Sequence, residues 1–303
     1  MISSNIFLIG NPKRMNAISP QLIFTALISV ATMALVPVLV SSVSANEVTI
    51  GIVRVFIACA ALTPLLLWRK NFSGLKRRDW LALLIIGMVF GLHWWTYFYA
   101  IKNSTPSLGA LSLTTYGIHL VWINALIHRQ RPKIIDVIAI LLCFCGCIIV
   151  VPSTDMKNHI TQAFLVGVFS GFLYALLPFF HQRVNHLSTT VRSWGQFSFA
   201  GLFFLFFWPQ TDWQLSYIDW QLLLFLGIVS TLIAHTLWVK VSTELPSILV
   251  SAFYYLYIPI AMALSYFFLN EVMTVAKLLG ATLIVLSCLL GIILPALRQS
   301  EKI

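Results

Sequence analysis

Residues 79–107 read DWLALLIIGMVFGLHWWTYFYAIKNSTPS, and residues 219–247 read DWQLLLFLGIVSTLIAHTLWVKVSTELPS. The two stretches share an Asp-Trp start, a glycine, a threonine and a closing Pro-Ser, each displaced by 140 positions. An earlier pair, residues 33–37 and 174–178, matches at a displacement of 141. A duplicated unit in a strongly apolar chain is typical of transporters built from two halves, with the substrate held between them.

The composition indicates a membrane protein. The 303 residues are 59% hydrophobic and 9% charged, whereas a soluble domain carries roughly 25% charged residues. The net charge of +10 would suit nucleic acid, but the basic residues lie in short gaps between apolar runs, which argues against a nucleic-acid partner. The expected partners are the lipid bilayer and a small-molecule substrate, and we expect a monomer or a weak homodimer.

The cysteines do not suggest a disulfide framework or a metal centre. All five lie inside apolar runs, and their number is odd. Cys143, Cys145 and Cys147 are two positions apart, so on a helix they point in different directions. We expect no metal and no cofactor.

Ten apolar runs approach the ~20 residues that a helix needs to cross a bilayer. The predicted spans are 21–43, 48–68, 80–100, 106–127, 134–151, 160–180, 189–208, 220–240, 247–268 and 275–295. The first run is much longer than the ~7–15 apolar residues of a signal peptide, so it is predicted to be a span. The predicted organisation is a tail at 1–19 (with Met15 as an alternative start), five-helix repeats at 20–152 and 160–296, and a C-terminal end at 297–303.

The basic residues predict the orientation. Fifteen Lys and Arg residues fall on the side of the N-terminus and three on the other side. By the positive-inside rule both termini are cytoplasmic. Because each half holds an odd number of helices, the second half enters the membrane from the opposite side. The fold class is therefore all-α, with ten transmembrane helices arranged as two inverted five-helix repeats.

The predicted membrane interior contains no Asp or Glu, because all nine carboxylates fall in loops or near span ends. A proton- or sodium-driven carrier usually places an acid in its path. The absence of one favours a facilitator or exchanger, or coupling through histidine.

Arg54 is the one strong charge well inside a predicted span. Its side chain could extend to the membrane surface or pair with Glu47, which would be a structural role. Alternatively, it attracts the carboxylate of a substrate.

Three histidines lie deep in predicted spans, on middle helices of both halves. A single buried histidine is usually satisfied by a neighbouring helix, but three together favour a polar cavity. Aromatic and hydroxyl side chains accompany them, which suits a small, partly apolar molecule with a polar head. The candidate substrate-binding residues are Arg54, His93, Trp94, Tyr97, Thr115, His119, Trp122, His235, Trp238, Tyr254 and Tyr255.

Within this set, His93, Tyr97, His119 and His235 are expected to bond the polar head. Trp94, Trp122, Trp238 and Tyr255 are expected to hold the apolar body. Two prolines at matching places, Pro37 and Pro178, suggest hinges or fixed bends.

No motif of a soluble enzyme is present. A polytopic membrane enzyme is the alternative class, with His181, Arg183 and His186 as its weak candidates. A solvated positive loop explains these three residues better.

Three stretches resemble the ten-helix EamA branch of the drug/metabolite transporter superfamily. Residues 91–102 resemble the end of its third helix, and residues 269–271 with 277–284 resemble its Glu-bearing turn and Gly-rich last helix. In the first half, residues 128–132 (HRQRP) replace the usual Gly-Glu pair.

This resemblance implies a bacterial inner-membrane carrier of small metabolites, often an amino-acid exporter, with a substrate site between the halves. His93 matches a site-lining position in aromatic amino-acid exporters of the family. Alternative substrates are nucleosides, S-adenosylmethionine-like metabolites and drugs. The expected function is alternating-access transport of amino acids or similar metabolites, as an exporter or facilitator.

Overall fold

A computed structural model describes residues 19–127, 134–153, 155–245 and 247–300. Over these residues the chain is helical and forms no strand. The predicted tail up to residue 18, the alternative start at Met15, the turn at residues 128–132 and the last three residues lie outside the described residues.

The described residues form ten helical segments, four of them interrupted. They are α1 (Pro20–Met33 and Val36–Ser42), α2 (Glu47–Trp68), α3 (Arg77–Asn103), α4 (Pro106–Thr114 and Tyr116–Ile127), α5 (Ile134–Val150), α6 (His159–Arg183), α7 (Thr189–Leu205), α8 (Tyr217–Phe225, the π-helical Leu226–Ile233, and Ala234–Glu244), α9 (Ser247–Tyr255 and Tyr257–Leu269) and α10 (Val275–Ser300).

Seven of these segments are long and apolar enough to cross a membrane: α1, α2, α3, α4, α6, α8 and α9. In the remaining three, α5 and α10 contain the shorter apolar helices Val137–Val150 and Val275–Ser287, and α7 spans 17 residues. The prediction of an all-helical, multi-spanning protein is confirmed. The number of ten spans stays a prediction for α5, α7 and α10.

Helix contacts follow a two-fold pattern. In the order of each repeat, α1 to α5 correspond to α6 to α10. Three contacts join corresponding helices: α2 with α7, α4 with α9, and α5 with α10. The other main contacts come in matched pairs, α3–α6 with α8–α1, and α3–α7 with α8–α2. Such pairing is expected when the two halves are related by a two-fold axis that passes between them.

Interrupted helices lie around this axis. A proline at position i leaves the carbonyl of residue i−4 without its helical N–H partner. Pro37 and Pro259 each stand four residues after the end of a helical part, which is Met33 in α1 and Tyr255 in α9. In contrast, α6 continues through Pro178, so the predicted matching bends at Pro37 and Pro178 are not equivalent.

The break in α4 has another origin. The Thr115 hydroxyl donates to the carbonyl of Ser112 at 2.7 Å, and such bonding competes with the helical pattern. Thr115 and Leu256, where α4 and α9 are interrupted, are 141 positions apart. The preceding Pro-Ser pairs are 140 positions apart, so the helices of the two repeats break at matching positions to within one residue.

Helices α5 and α10 approach closely through two glycines. A Cβ on Gly146 would lie 2.9 Å from the carbonyl oxygen of Gly280, and one on Gly280 would lie 2.8 Å from that of Gly146. Small residues permit such contacts between membrane helices. The cysteines of α5 do not converge: Cys143 is buried and Cys145 is exposed.

Asp79 and Asp219, which correspond in the repeat, each bond a loop, and they do so at opposite ends of the helix bundle. Asp79 accepts bonds from the Lys76 amide at 2.9 Å and from His186 at 3.1 Å, where the basic loops lie. We call this end the basic face. At the other end, the opposite face, Asp219 accepts from the amide and the hydroxyl of Ser44, both at 2.7 Å. Each aspartate thus joins the third helix of one repeat to a loop of the other repeat.

Candidate functional site

The central cavity lies between the two halves, where seven helices meet. Its lining residues are Met33, Val36, Arg54, His93, Trp94, Tyr97, Phe98, Leu113, Tyr174, His235, Tyr254 and Tyr257. The free volume between these side chains is about 20 Å³, which is room for on the order of one water molecule. A metabolite therefore fits only after the surrounding helices separate.

The lining follows the internal repeat to within one residue. Met33 and Tyr174 both line the cavity and are 141 positions apart, as their segment of the repeat is. Trp94 with His235 and Leu113 with Tyr254 also line it, each pair one position beyond the displacement of 140 found in residues 79–107. The two-fold axis therefore passes through the cavity, although the side chains on its two sides differ in chemistry.

Arg54 is held in the cavity wall by contacts along one side of its guanidinium group. Nε donates to the hydroxyl of Thr231 at 2.9 Å. The group lies over the ring of Trp94, 4.1 Å from the centroid, and 5.0 Å from that of Phe98. Such cation–π contacts stabilise a desolvated cation.

The π-helical part of α8 places the partner of Arg54. Thr231 donates its hydroxyl hydrogen to the carbonyl of Leu226, five residues earlier, at 2.8 Å. The hydroxyl oxygen is then free to accept from Arg54. A π-helical turn inside an α-helix often marks a functional position.

The terminal amino groups of Arg54 have no hydrogen-bond partner among the described residues. The side chain is fully buried and forms no ion pair among those residues. The structure therefore contradicts the interpretation in which Arg54 extends to the surface or pairs with Glu47. A buried guanidinium with a free pair of donors is suited to a carboxylate, which it can bind through two parallel bonds.

Tyrosines form the wall beside Arg54. The hydroxyls of Tyr97 and Tyr257 bond to each other. Tyr257 stacks on Tyr254, with ring centroids 5.5 Å apart and planes within 5°, and the buried hydroxyl of Tyr254 has no described partner. This wall presents apolar ring surface with a few hydroxyls.

His93 is oriented by Ser170 of α6. The Ser170 hydroxyl donates to the His93 carbonyl at 2.8 Å and therefore accepts from Nδ1–H of the same residue, also at 2.8 Å. In the neutral ring this leaves Nε2 as an acceptor. The ring stacks on Tyr174 at 4.7 Å and on Tyr97 at 6.0 Å.

A second small cavity adjoins the first toward the basic face. Its lining includes Tyr174 and His235, which both cavities share, together with His181, Gln196 and Trp238. The side chains of His181 and Gln196 bond to each other at 2.7 Å. His181 is buried, so the interpretation of this residue as part of a solvated loop is wrong.

The structure brings six of the eleven predicted residues to the central cavity: Arg54, His93, Trp94, Tyr97, His235 and Tyr254. A seventh, Trp238, lines the second cavity. The other four lie elsewhere. Trp122 is 44% exposed on the outer surface, His119 packs on Phe172 of α6, Thr115 bonds within α4, and Tyr255 packs among apolar residues of a separate cluster.

Tyr174 and Tyr257 line the cavity but are missing from the predicted set. The repeat contained a signal for Tyr174, since it corresponds to Met33 at the displacement of 141. Tyr257 follows the interruption of α9, and no periodic pattern carried across that break indicates its direction.

One family of known proteins matches both halves of the chain. The sequence model of the EamA-like transporter family matches residues 21–151 and again residues 161–293. The chain belongs to the EamA-like transporter family. The family match places it in the drug/metabolite transporter superfamily and makes it a multi-pass membrane transporter with a small-molecule substrate and the lipid bilayer as partners.

The fold is also found among solved structures. One, titled "Crystal structure of protein", matches with a TM-score of 0.66 at 16% sequence identity, and the match covers 90% of this chain and 98% of that chain. At this identity the match shows a shared fold only. Among curated proteins no sequence matches.

Proposed function

We propose that this EamA-like transporter carries amino acids and similar carboxylate-bearing metabolites across the bacterial inner membrane, as an exporter or facilitator working by alternating access. The observation that carries this proposal is the pair of free, buried donors on Arg54 in the central cavity. Removing a guanidinium from water is costly unless it gains a partner. A substrate carboxylate would supply that partner.

The rest of the lining supports a substrate with an apolar body. Beside Arg54 stand Trp94, Phe98 and the tyrosine wall, which would cover a flat or branched side chain. Among the alternative substrates, a cationic drug fits less well, because it would meet Arg54 with no described acid beside it.

Alternating access is supported by the two-fold contacts. When two halves pack through equivalent helices, rocking one against the other exchanges two similar arrangements, open to opposite faces. The small volume of the cavity fits a closed arrangement. Interrupted helices at Met33 and Tyr255 would let short helical parts move separately.

We propose that the basic face is cytoplasmic, with both termini on that side, because its loops carry most of the Lys and Arg residues. The test uses Ser73→Cys, in a basic-face loop, and Ser153→Cys, in an opposite-face loop, in a background without native cysteines. A membrane-impermeant maleimide added to intact spheroplasts should label only the second. Labelling of the first alone would contradict the orientation.

The function itself is tested by counterflow into proteoliposomes with a panel of labelled amino acids, with protein-free liposomes as the control. Exchange is expected for large apolar amino acids and not for their decarboxylated amines. The same experiment with a pH gradient tests coupling, since no described acid lines the cavity. Silence across the panel would contradict the proposal, and uptake only with the gradient would contradict a facilitator.

A further inference from the structure

We infer that the central cavity recognises the carboxylate and the apolar body of its substrate but not an α-ammonium group, so that deaminated acids are substrates in their own right. This inference rests on the proposed function and deepens it, because it names the carboxylate and the apolar body as the recognised groups and extends the substrate class to acids without an amino group. Four features of the cavity carry it.

The first feature is the charge of the lining. Arg54 is the single formally charged side chain among the lining residues, and no carboxylate is among them. Glu47 and Glu244, at the ends of α2 and α8, are not among the lining residues. Three other acids are used elsewhere: Asp79 bonds His186, Asp219 bonds Ser44, and Glu271 bonds Lys277 at 2.7 Å. None of these carboxylates is available to offset an ammonium group.

The second feature is the kind of polar atom left free. The two amino groups of Arg54 only donate hydrogen bonds. The acceptors on the wall are neutral, such as the tyrosine hydroxyls and Nε2 of His93. A neutral acceptor can take one hydrogen bond but does not compensate the desolvation of a full charge.

The third feature is the state of the aromatic rings. An ammonium group can also be held over the face of a ring. However, the guanidinium of Arg54 occupies the face of Trp94, Tyr257 covers Tyr254, and His93 lies against both Tyr97 and Tyr174. Each of these rings next to Arg54 therefore has one face covered by another side chain.

The fourth feature is proximity. In an α-amino acid the ammonium is on the carbon next to the carboxylate. When that carboxylate pairs with Arg54, the ammonium stands close to the guanidinium, and the two positive charges repel each other in a cavity without water. The corresponding acid without the amino group avoids this repulsion.

A matched set of three ligands tests the inference on the unmodified protein. Phenylalanine carries both groups, 3-phenylpropionate lacks the ammonium, and 2-phenylethylamine lacks the carboxylate. Binding is followed in detergent by the fluorescence of the purified protein, in which Trp94 lines the cavity, and exchange is followed by counterflow in proteoliposomes.

We expect 3-phenylpropionate to bind at least as tightly as phenylalanine, and about tenfold more tightly if the repulsion is fully expressed. 3-Phenylpropionate should also exchange in counterflow, whereas 2-phenylethylamine should neither bind nor exchange. Arg54→Gln should abolish binding of 3-phenylpropionate, and Arg54→Lys, which keeps the charge, should retain part of it.

Two outcomes would overturn the inference, and they differ in what they say about the proposed function. If phenylalanine binds and exchanges but 3-phenylpropionate does not, the ammonium is recognised, and amino-acid transport stands without this inference. If neither carboxylate binds or exchanges, the proposed function fails together with it. Binding of 2-phenylethylamine alone would likewise contradict both, since it would assign the cavity to cations.

Discussion

The second helix of each repeat carries a long polar side chain at its eighth residue, and these two side chains differ in their hydrogen bonds. In α2 it is Arg54, and in α7 it is Gln196, 142 positions later. Gln196 is paired with His181 at 2.7 Å. Arg54 uses Nε on Thr231 and leaves both terminal amino groups free.

This difference indicates how a duplicated fold obtains a one-sided site. The backbone arrangement is nearly symmetric, since matched positions line the same cavity. The chemistry is not, because one repeat satisfies its polar side chain internally and the other keeps its donors for a ligand. A symmetric motion between the halves can thus act on an asymmetric site.

The largest expected effect comes from removing this difference. Arg54→Gln gives the first repeat the amide that the second carries. Losing a charge-assisted pair of bonds of about 3 kcal/mol should lower counterflow of a carboxylate substrate about 100-fold. The measurement is the initial rate of counterflow per amount of reconstituted protein, with the wild-type protein as the reference.

Arg54→Lys is the matched control for this prediction. It keeps the positive charge but not the planar fork, so its rate should fall between those of the wild type and Arg54→Gln. If Arg54→Gln transports like the wild type while folding normally, the free donors of Arg54 do not bind the substrate.

The second prediction concerns the satisfied pair, and it is expected to alter stability more than binding. Gln196→Leu leaves a buried nitrogen of His181 without its partner, which should cost about 1–3 kcal/mol. Thermal unfolding in detergent measures the loss, and the affinity for the carboxylate ligand measures any effect on the site.

The double variant His181→Leu with Gln196→Leu sharpens the test. Replacing both members of a buried pair by apolar groups can be nearly neutral, so the double variant should be more stable than Gln196→Leu alone. An additive loss instead would mean that the two side chains are not coupled.

The third comparison is between Asp79 and Asp219, each of which bonds a loop of the other repeat. Asp219 accepts four bonds, two each from Ser44 and Ser216. Asp79 accepts one amide bond and one bond from His186, whose side chain is 56% exposed. Bonds to a charged, buried acceptor contribute about 1.5–3 kcal/mol each, whereas exposed ion pairs contribute about 0–1 kcal/mol.

We therefore expect Asp219→Asn to favour opening at the opposite face by about tenfold, and Asp79→Asn to favour opening at the basic face by a factor of about five or less. The reporter is a cysteine at Leu113 in the cavity wall, labelled from either side in a background without native cysteines. If Asp219→Asn and Asp79→Asn increased labelling at their respective faces equally, the predicted difference between the two aspartates would be contradicted.

The sequence predicted the helical segments and their duplication better than the residues that line the cavity. Hydrophobic runs and the repeat predicted the helical segments, because apolar length and duplication are properties of the sequence alone. The avoidance of lipid by polar groups also predicted that His93, His119 and His235 face the interior, and two of them, His93 and His235, line the cavity. For Arg54 the sequence left an inward and an outward position open.

The sequence could not predict which face of the interrupted helices α4 and α9 is directed toward the cavity. Spacings of four and three put Thr115, His119 and Trp122 on one face of α4, but nothing in the sequence says which neighbour that face meets. In α9 the adjacent residues Tyr254 and Tyr255 point to different clusters. Only the packing of the two repeats decides which of them reaches the cavity.

The smallest expected effect tests this last point. Trp122→Ala should change counterflow by less than about twofold, because the side chain is 44% exposed on the outer surface and surface substitutions usually have small effects. Trp94→Leu is the matched control: it removes the ring under Arg54 and should lower the rate about tenfold, as expected for a desolvated cation–π contact of roughly 1–2 kcal/mol. If Trp122→Ala lowered the counterflow rate more than Trp94→Leu, the face of α4 that carries Trp122 would have to turn toward the substrate during transport. The central cavity would then be only one of the surfaces that the substrate contacts.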